Sequence, residues 1–294
     1  MAFKSGFIAI IGAPNVGKST LLNHILGQKI AITSPKPQTT RNKIVGILNK
    51  PSCQLVFWDT PGIHQAKKPF ARRLVQVALS TLKEVELILL LVDTSPSTRS
   101  ESEWIIKTLR NIKTPVIVAI NKIDLVEKET LLPLIDYYHT IHDFEAIIPI
   151  SALLKDGINL VVDEIIKRLP EGMPYFPKDI ATDQWERFLV TEIIRERIFH
   201  HVHQEVPYST AVTVEEFKEE EKRNFISIHA TIYVERDSQK GIIIGERGRM
   251  LKSIGEEARK AIESVLGARV FLGLWVKVQK DWRKDKKALR RFGY

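Results

Sequence analysis

The sequence predicts two domains in series: a doubly wound α/β domain with a mostly parallel sheet, then a smaller α+β domain. Three observations carry that expectation. Over the first 170 residues, short apolar runs alternate with stripes of helical period. A stretch with three prolines in eight residues, Pro170 to Pro177, then interrupts the pattern. Beyond it the order of periodicities becomes α-β-β-α-α-β, and 294 residues are enough for two cores of ordinary size.

The runs Phe7–Ile11, Leu55–Trp58, Leu87–Val92, Val116–Ile120 and Ala146–Ile150 are aliphatic or β-branched and end at polar residues, as strands buried on both faces do. Between them, Ile158, Val161, Val162, Ile165, Ile166 and Leu169 keep to one helical stripe. The proline-rich stretch reads as a stiff linker, so the boundaries are 1–170, a linker over 171–180, and 181–294. In the second domain an amphipathic helix runs from Trp185 to about Val202 and precedes two alternating runs. The second of these sets Ile226, Ile228, Ala230, Ile232 and Val234 on one face. A short run at Ile242–Ile244, a glycine-rich break, a helix over Met250–Leu266 and a strand with Val270, Leu272, Leu274, Val276 and Val278 on one face complete it.

Composition narrows the class. The single cysteine, Cys53, cannot form an internal disulfide, and the start of the chain shows no cleavable leader, so we expect a cytoplasmic protein. The longest aliphatic run is six residues, against about 20 for a membrane span. The net charge of +9 is uneven: residues 1–175 hold 21 Lys/Arg and 16 Asp/Glu, residues 176–235 hold 7 and 12, and residues 236–294 hold 16 and 7. The basic end implies a polyanion partner, either nucleic acid or an anionic membrane surface.

The chemistry lies in ordered motifs. Gly12-Ala-Pro-Asn-Val-Gly-Lys18-Ser19 fits G-x-x-x-x-G-K-[ST] between a strand and a helix. Its backbone N–H groups and helix end suit phosphates, its lysine the β- and γ-phosphates, and its serine Mg²⁺. Gly12, Asn15, Val16, Gly17, Lys18, Ser19 and Thr20 are therefore candidate nucleotide contacts. Asn121-Lys122-Ile123-Asp124 follows the fourth of the predicted strands. A carboxylate at Asp124 accepts from N1–H and the 2-amino group of guanine, whereas adenine would leave it unpaired. Ser151-Ala152-Leu153, at the end of the next strand, offers the Ala152 N–H to guanine O6. Asp59-Thr60-Pro61-Gly62 supplies an acidic residue toward Mg²⁺ and an N–H at Gly62 that senses the γ-phosphate, so Lys18, Asp59 and Gly62 are the candidate catalytic groups. In Pro37-Gln-Thr-Thr40-Arg41 one threonine would complete a Mg²⁺ set with Ser19 and Asp59; Thr40 is favoured, although the loop has no landmark that separates it from Thr39.

In the second domain, Ile244-Gly245-Glu246-Arg247-Gly248 is a G-x-x-G loop between helical segments beside the basic end. In KH domains such a loop clamps about four single-stranded nucleotides. Ile244, Gly245, Arg247, Gly248, Arg249 and Lys252 are the candidate RNA contacts, while Glu246 sits awkwardly among phosphates. Trp282 and Phe292, within the basic tail Lys280–Phe292, are candidates for stacking on bases or on lipid headgroups. His200, His201 and His203 lack a Cys or carboxylate at ligand spacing and read as a helix end.

These motifs in this order resemble the translation-factor-related GTPases, and within them the Era family, along nearly the whole chain. The resemblance implies a P-loop GTPase domain followed by a type II KH domain. It further implies GTP hydrolysis with Mg²⁺, binding to the 3′ end of 16S rRNA, and a role in small-subunit assembly. We expect a monomer. Ile63 stands where many GTPases carry a water-orienting glutamine, and by resemblance Asn15 is a candidate K⁺ ligand. Two other classes compete. A small-molecule P-loop enzyme is opposed by N-K-x-D, and a membrane-associated regulatory GTPase would use the basic tail peripherally at the inner face of the cell membrane.

Overall fold

The structure is a computed structural model that describes residues 2–294 apart from Pro35, Pro37, Lys67, Trp185, Glu221 and Lys222. It divides into two compact units, Met1–Asp183 and Gln184–Tyr294.

The first unit contains strands β1 (Lys4–Gly12), β2 (Ile44–Lys50), β3 (Cys53–Asp59), β4 (Leu87–Asp93), β5 (Val116–Asn121) and β6 (Ala146–Pro149). Its helices are α1 (Lys18–Leu26), α2 (Pro69–Ser80), α3 (Arg99–Leu109), α4 (Leu131–Ile141) and α5 (Ile158–Arg168). The sheet order is β2-β3-β1-β4-β5-β6. Every neighbouring pair is parallel except β2 with β3. The central strand β4 is buried throughout, as its unbroken aliphatic run requires. The chain builds outward from β1 in one direction through β3 and β2, then reverses to β4. The loop after β1 therefore opens at the point where the winding reverses, which is where such sheets bind ligands.

The antiparallel edge strand β2 is absent from the five strands predicted. Gly46 interrupts its apolar run and shortens the periodic signal, because a Cβ there would lie 2.6 and 2.9 Å from Leu26 and Leu22 of α1. The turn at Pro51-Ser52 is the hairpin signal that reveals it.

The proline-rich segment runs as a strap on the first unit. The Gln54 side chain, fully buried in β3, accepts from Tyr175 N–H (2.7 Å) and Phe176 N–H (2.9 Å) and donates to Phe176 O (2.8 Å). Farther on, Ile47 N–H donates to Ala181 O (2.8 Å), and the Thr182 hydroxyl donates to Val45 O (2.6 Å). Residues predicted as a spacer are thus hydrogen-bonded along β2 and β3, and the unit boundary falls at Asp183–Gln184.

The second unit follows the predicted order: α6 (Glu186–His201), β7 (Ala211–Glu220), β8 (Phe225–Val234), α7 (Asp237–Ile244), α8 (Arg249–Leu266), β9 (Arg269–Val278), and a short α9 (Lys286–Arg291). The expected helix start at Trp185 lies outside the described residues. The β7-β8 pair is antiparallel with a bulge near Val214, and β8-β9 is parallel. Ile226, Ile228, Ala230, Ile232 and Val234 pack with Ile193, Ile194, Ile254, Ala258 and Ile262 of the helices in one core.

The tail aromatics do not face solvent. Trp282 is fully buried, its Nε1–H donating to Ser209 O (2.8 Å), and Phe292 packs on Trp282 and Tyr233 at centroid distances of 5.3 and 4.7 Å. Neither ring is placed to stack on a base or a headgroup. The apolar gain of burying two large rings outweighs exposing them, and a nearby carbonyl satisfies the indole.

Candidate functional site

The loop between β1 and α1 turns through left-handed φ at Asn15 (+64°) and Gly17 (+103°) to start α1. Lys18, on the first turn of α1, is buried, and its ammonium donates to Gly12 O (3.2 Å) and Ala13 O (2.9 Å). Thr20 is half-buried two residues farther along the same first turn. Asp59 ends β3 beside β1, in register with Ile10, which brings its carboxylate to the start of α1. The Ser19 hydroxyl donates to Asp59 Oδ2 (2.6 Å) and lies 3.0 Å from Thr40 Oγ1, which itself is 3.5 Å from Asp59 Oδ2. Three oxygen-bearing side chains from three separate segments converge here. Thr40 is the threonine of its loop that joins them; the Thr39 hydroxyl donates instead to Lys36 O (2.7 Å). Pro37, in the same predicted stretch, lies outside the described residues.

Burial sets the electrostatics. Asp59 is pushed up to about 6, first by desolvation, with the Lys18 ammonium and the Ser19 and Thr40 hydroxyls pulling the other way. Lys18 is pushed down to about 8, again by desolvation, with Asp59 opposing. Asp59 Oδ1 is buried with no hydrogen-bond partner. An orphaned carboxylate oxygen beside two hydroxyls is a hard-oxygen set and fits Mg²⁺, which takes few protein ligands and keeps phosphate oxygens and water.

Gly62 sits directly on the loop, since a Cβ there would lie 2.9 Å from Pro14 backbone and ring atoms. The Ile63 N–H donates to Gly12 O (3.0 Å), and its side chain is wholly buried. His64 Nδ1 stays near Gly62 O (3.2 Å).

At the base end, Asn121 closes β5 and braces two loops. Its Nδ2–H donates to Val16 O (2.7 Å), and its Oδ1 accepts from Ala152 N–H (2.8 Å). The donor predicted for guanine O6 thus also serves this brace. Asp124 is exposed, its Oδ1 accepting from the Ser151 hydroxyl (2.5 Å), so the outer carboxylate edge is steadied. Lys122, at φ +65°, pairs with the buried carboxylate of Asp93 (2.7 Å). Asp93 is a positioning partner that the motif search missed; an aspartate closing β4, one strand over from the N-K-x-D strand, is the signal that finds it. Leu153 is exposed at the rim.

In the second unit, Gly245 takes φ +70°, ψ 176°, and a Cβ there would meet Met250 Cβ at 2.5 Å. Gly248 takes φ +78° with open space where its Cβ would be. The first glycine is required by packing, while the second leaves an uncovered approach. Glu246, Arg247, Arg249 and Lys252 are exposed around it, and Ile244 is half-buried beneath.

A family model described as a 50S ribosome-binding GTPase matches residues 7–122, and one described as a KH domain matches residues 205–283. GTPase Era of Syntrophus aciditrophicus is 55% identical over 99% of this chain and 95% of its own length. That of Geotalea uraniireducens is 54% identical over 99% and 98%. The chain belongs to the Era GTPase family. Among solved structures, Era in complex with MgGDPNP and nucleotides 1506–1542 of 16S ribosomal RNA superposes with a TM-score of 0.96 at 43% identity, over 99% of both chains. An Aquifex aeolicus Era variant bound to GDP·AlF4⁻ superposes at 0.93, also 43% identical over 99% of both. An Era family member is a GTPase with a G domain and a KH domain, and both units described above have that form.

Proposed function

We propose that this GTPase is a switch whose second unit binds single-stranded RNA at the 3′ end of 16S rRNA and that it acts in 30S subunit assembly. One observation carries the reading: the convergent Ser19, Thr40 and Asp59 side chains and an open G-x-x-G loop share a chain that is similar to an RNA-bound relative over 99% of both chains. The matched G-domain model is described by the large subunit, but it spans only residues 7–122. The full-length likeness includes the RNA-binding unit, so we follow it to the small subunit.

The roles follow from the geometry. Lys18 holds the β- and γ-phosphates, and the N–H groups of the loop from Gly12 to Thr20 cradle them. Ser19, Thr40 and Asp59 hold Mg²⁺, which when bound neutralises charge developing on the β- and γ-oxygens. Gly62, seated against Pro14, reads the γ-phosphate, because nothing larger fits between the two segments. Asp124, braced by Ser151, selects guanine; Asn121 joins both loops and Lys122 flanks the base. Ile63 cannot orient water, and its aliphatic side chain is wholly buried. Asn15 is a K⁺ candidate whose left-handed backbone an asparagine tolerates. Asn15→Gly keeps that backbone, so it should remove any K⁺-over-Na⁺ rate advantage without unfolding the loop.

We assign residues 1–183 to the G domain with its strap and 184–294 to the KH domain. No helix among the described residues is long and apolar enough to cross a membrane. We place the protein in the cytoplasm; the tail rings that would anchor it to lipid are buried. The decisive test measures binding of a 3′-end 16S RNA with GTP present. Gly248→Asp should weaken it sharply, and Asp124→Asn should shift nucleotide preference toward xanthosine triphosphate. RNA affinity indifferent to Gly248→Asp would sink the loop assignment.

A further inference from the structure

The tail rings are buried, yet two other large rings of the second unit face solvent. Phe271 and Trp275 are each 50% exposed on the side of β9 opposite the helices. The parallel register sets His229 of β8 against Gly273 between them, with its ring 5.5 Å from Phe271 and 5.1 Å from Trp275. The three rings make a stripe about 13 Å long, four residues at about 3.3 Å each. Gly273 permits it: a Cβ there would lie 2.6 Å from His229 Nδ1 and 3.1 Å from the Trp275 ring, forcing the rings off the strand.

The surroundings are charged in an ordered way. β9 is an edge strand, and alternation puts the exposed Arg269 and Lys277 on the same face as the rings, one at each end. Lys277 is in register with Tyr233, which Phe292 and the Arg291 guanidinium cover, the latter at 4.8 Å, so the basic helix α9 sits at that end of the stripe. On the other side β7 is acidic, with Glu216 set 3.7 Å from His229.

We infer that this stripe is a second single-stranded RNA contact. Bases stack on Phe271, His229 and Trp275, and phosphates follow the β9 edge and α9, away from the β7 carboxylates. Rings in single file between cations match planar bases on a phosphate backbone; an apolar helix would need a broad aliphatic face instead. The inference rests on the RNA reading of this unit.

The test uses the full chain and two labelled single-stranded RNAs, one of about 4 nucleotides, which the loop clamp alone accommodates, and one about three times longer. In Phe271→Ala/Trp275→Ala, affinity for the longer RNA should fall about tenfold per ring, with the shorter RNA and GTP hydrolysis unchanged. Trp275→Phe should restore most of the loss, and Gly248→Asp should weaken both RNAs. A double variant that binds the longer RNA as the parent does overturns the stripe while leaving the loop reading intact. A parent that binds neither RNA overturns both. Unchanged RNA affinity with lost binding to phosphatidylglycerol vesicles overturns it in favour of a lipid surface.

Discussion

Asp59 and Lys18 are both buried, and each carries its charge at neutral pH against the pull of desolvation. The two shifts have opposite signs and separate windows. Asp59 is raised from 3.8 to about 6, so its contribution to stability is present below pH 4 and is lost as pH rises through 6. Lys18 is lowered from 10.5 to about 8, so its contribution is present above pH 10.5 and is lost as pH falls through 8. At pH 7 neither group helps the ligand-free fold. Lowering the pH from 7 to 5 should therefore return about 1 kcal/mol from Asp59, raising Tm by about 2–4 °C. Asp59→Asn should flatten that rise, as thermal melts without nucleotide would reveal. With nucleotide the dependence should reverse, because Mg²⁺-dependent GTP affinity weakens as Asp59 protonates below about pH 6. The sequence names both residues through their motifs, but their burial follows from β3 ending beside α1.

At the scale of elements, the two glycines of the loop between α7 and α8 have different duties. Gly245 sits at φ +70°, ψ 176°, a region only glycine enters readily, with Met250 behind it. Gly245→Ala should destabilise the second unit by about 1–3 kcal/mol. Gly248→Ala meets no neighbouring atom and should cost about 1 kcal/mol through its positive φ, while RNA affinity falls more than stability. Melting curves paired with RNA titrations separate the two; equal losses of both properties at both positions would mean the loop is only a helix connection. The tail is an element of the core. Trp282→Ala removes a buried ring and leaves Ser209 O without its indole donor, so the second unit should lose about 3–5 kcal/mol while GTP hydrolysis persists. Helix α9 thus presents its lysines and arginines from a fixed base, whereas the bare charge pattern leaves it as a tail of unspecified course.

For the whole molecule, the strap makes the boundary between units later than composition suggests. A chain ending at 183 keeps the hydrogen bonds of Gln54, Ile47 and Val45 to residues 175–182, while one ending at 169 strips three partners from the buried Gln54 amide. The shorter fragment should lose about 2 kcal/mol and roughly 4–8 °C in Tm, with both fragments lacking RNA binding. Equal melting temperatures would make the strap a passive linker. Its place beside β2, directly after the Thr40 loop, puts the exit of the first unit next to the segment whose Thr40 we propose for the Mg²⁺ set.

The motifs were legible because phosphate and guanine chemistry demands particular residues at close spacing, as at Gly12–Ser19 and Asn121–Asp124. The order of elements was legible because periods of 2 and 3.6 are local properties of the chain. Contacts between distant segments were not. Thr40 parts from Thr39 only when β3 delivers Asp59 to Ser19, and β2, broken by Gly46, shows its full length and antiparallel sense only in its pairing with β3. Trp282 turns inward because Ser209, 73 positions earlier, offers a carbonyl in a space the core has already shaped. Phe271 and Trp275 are the opposite case: the alternation of β9 already sets them across from Val270, Leu272, Leu274, Val276 and Val278, and the core takes that aliphatic face. Outside such a regular strand, as in the tail, which side of an aromatic residue meets water is a competition among partners far apart in the chain, and local pattern contains no term for it.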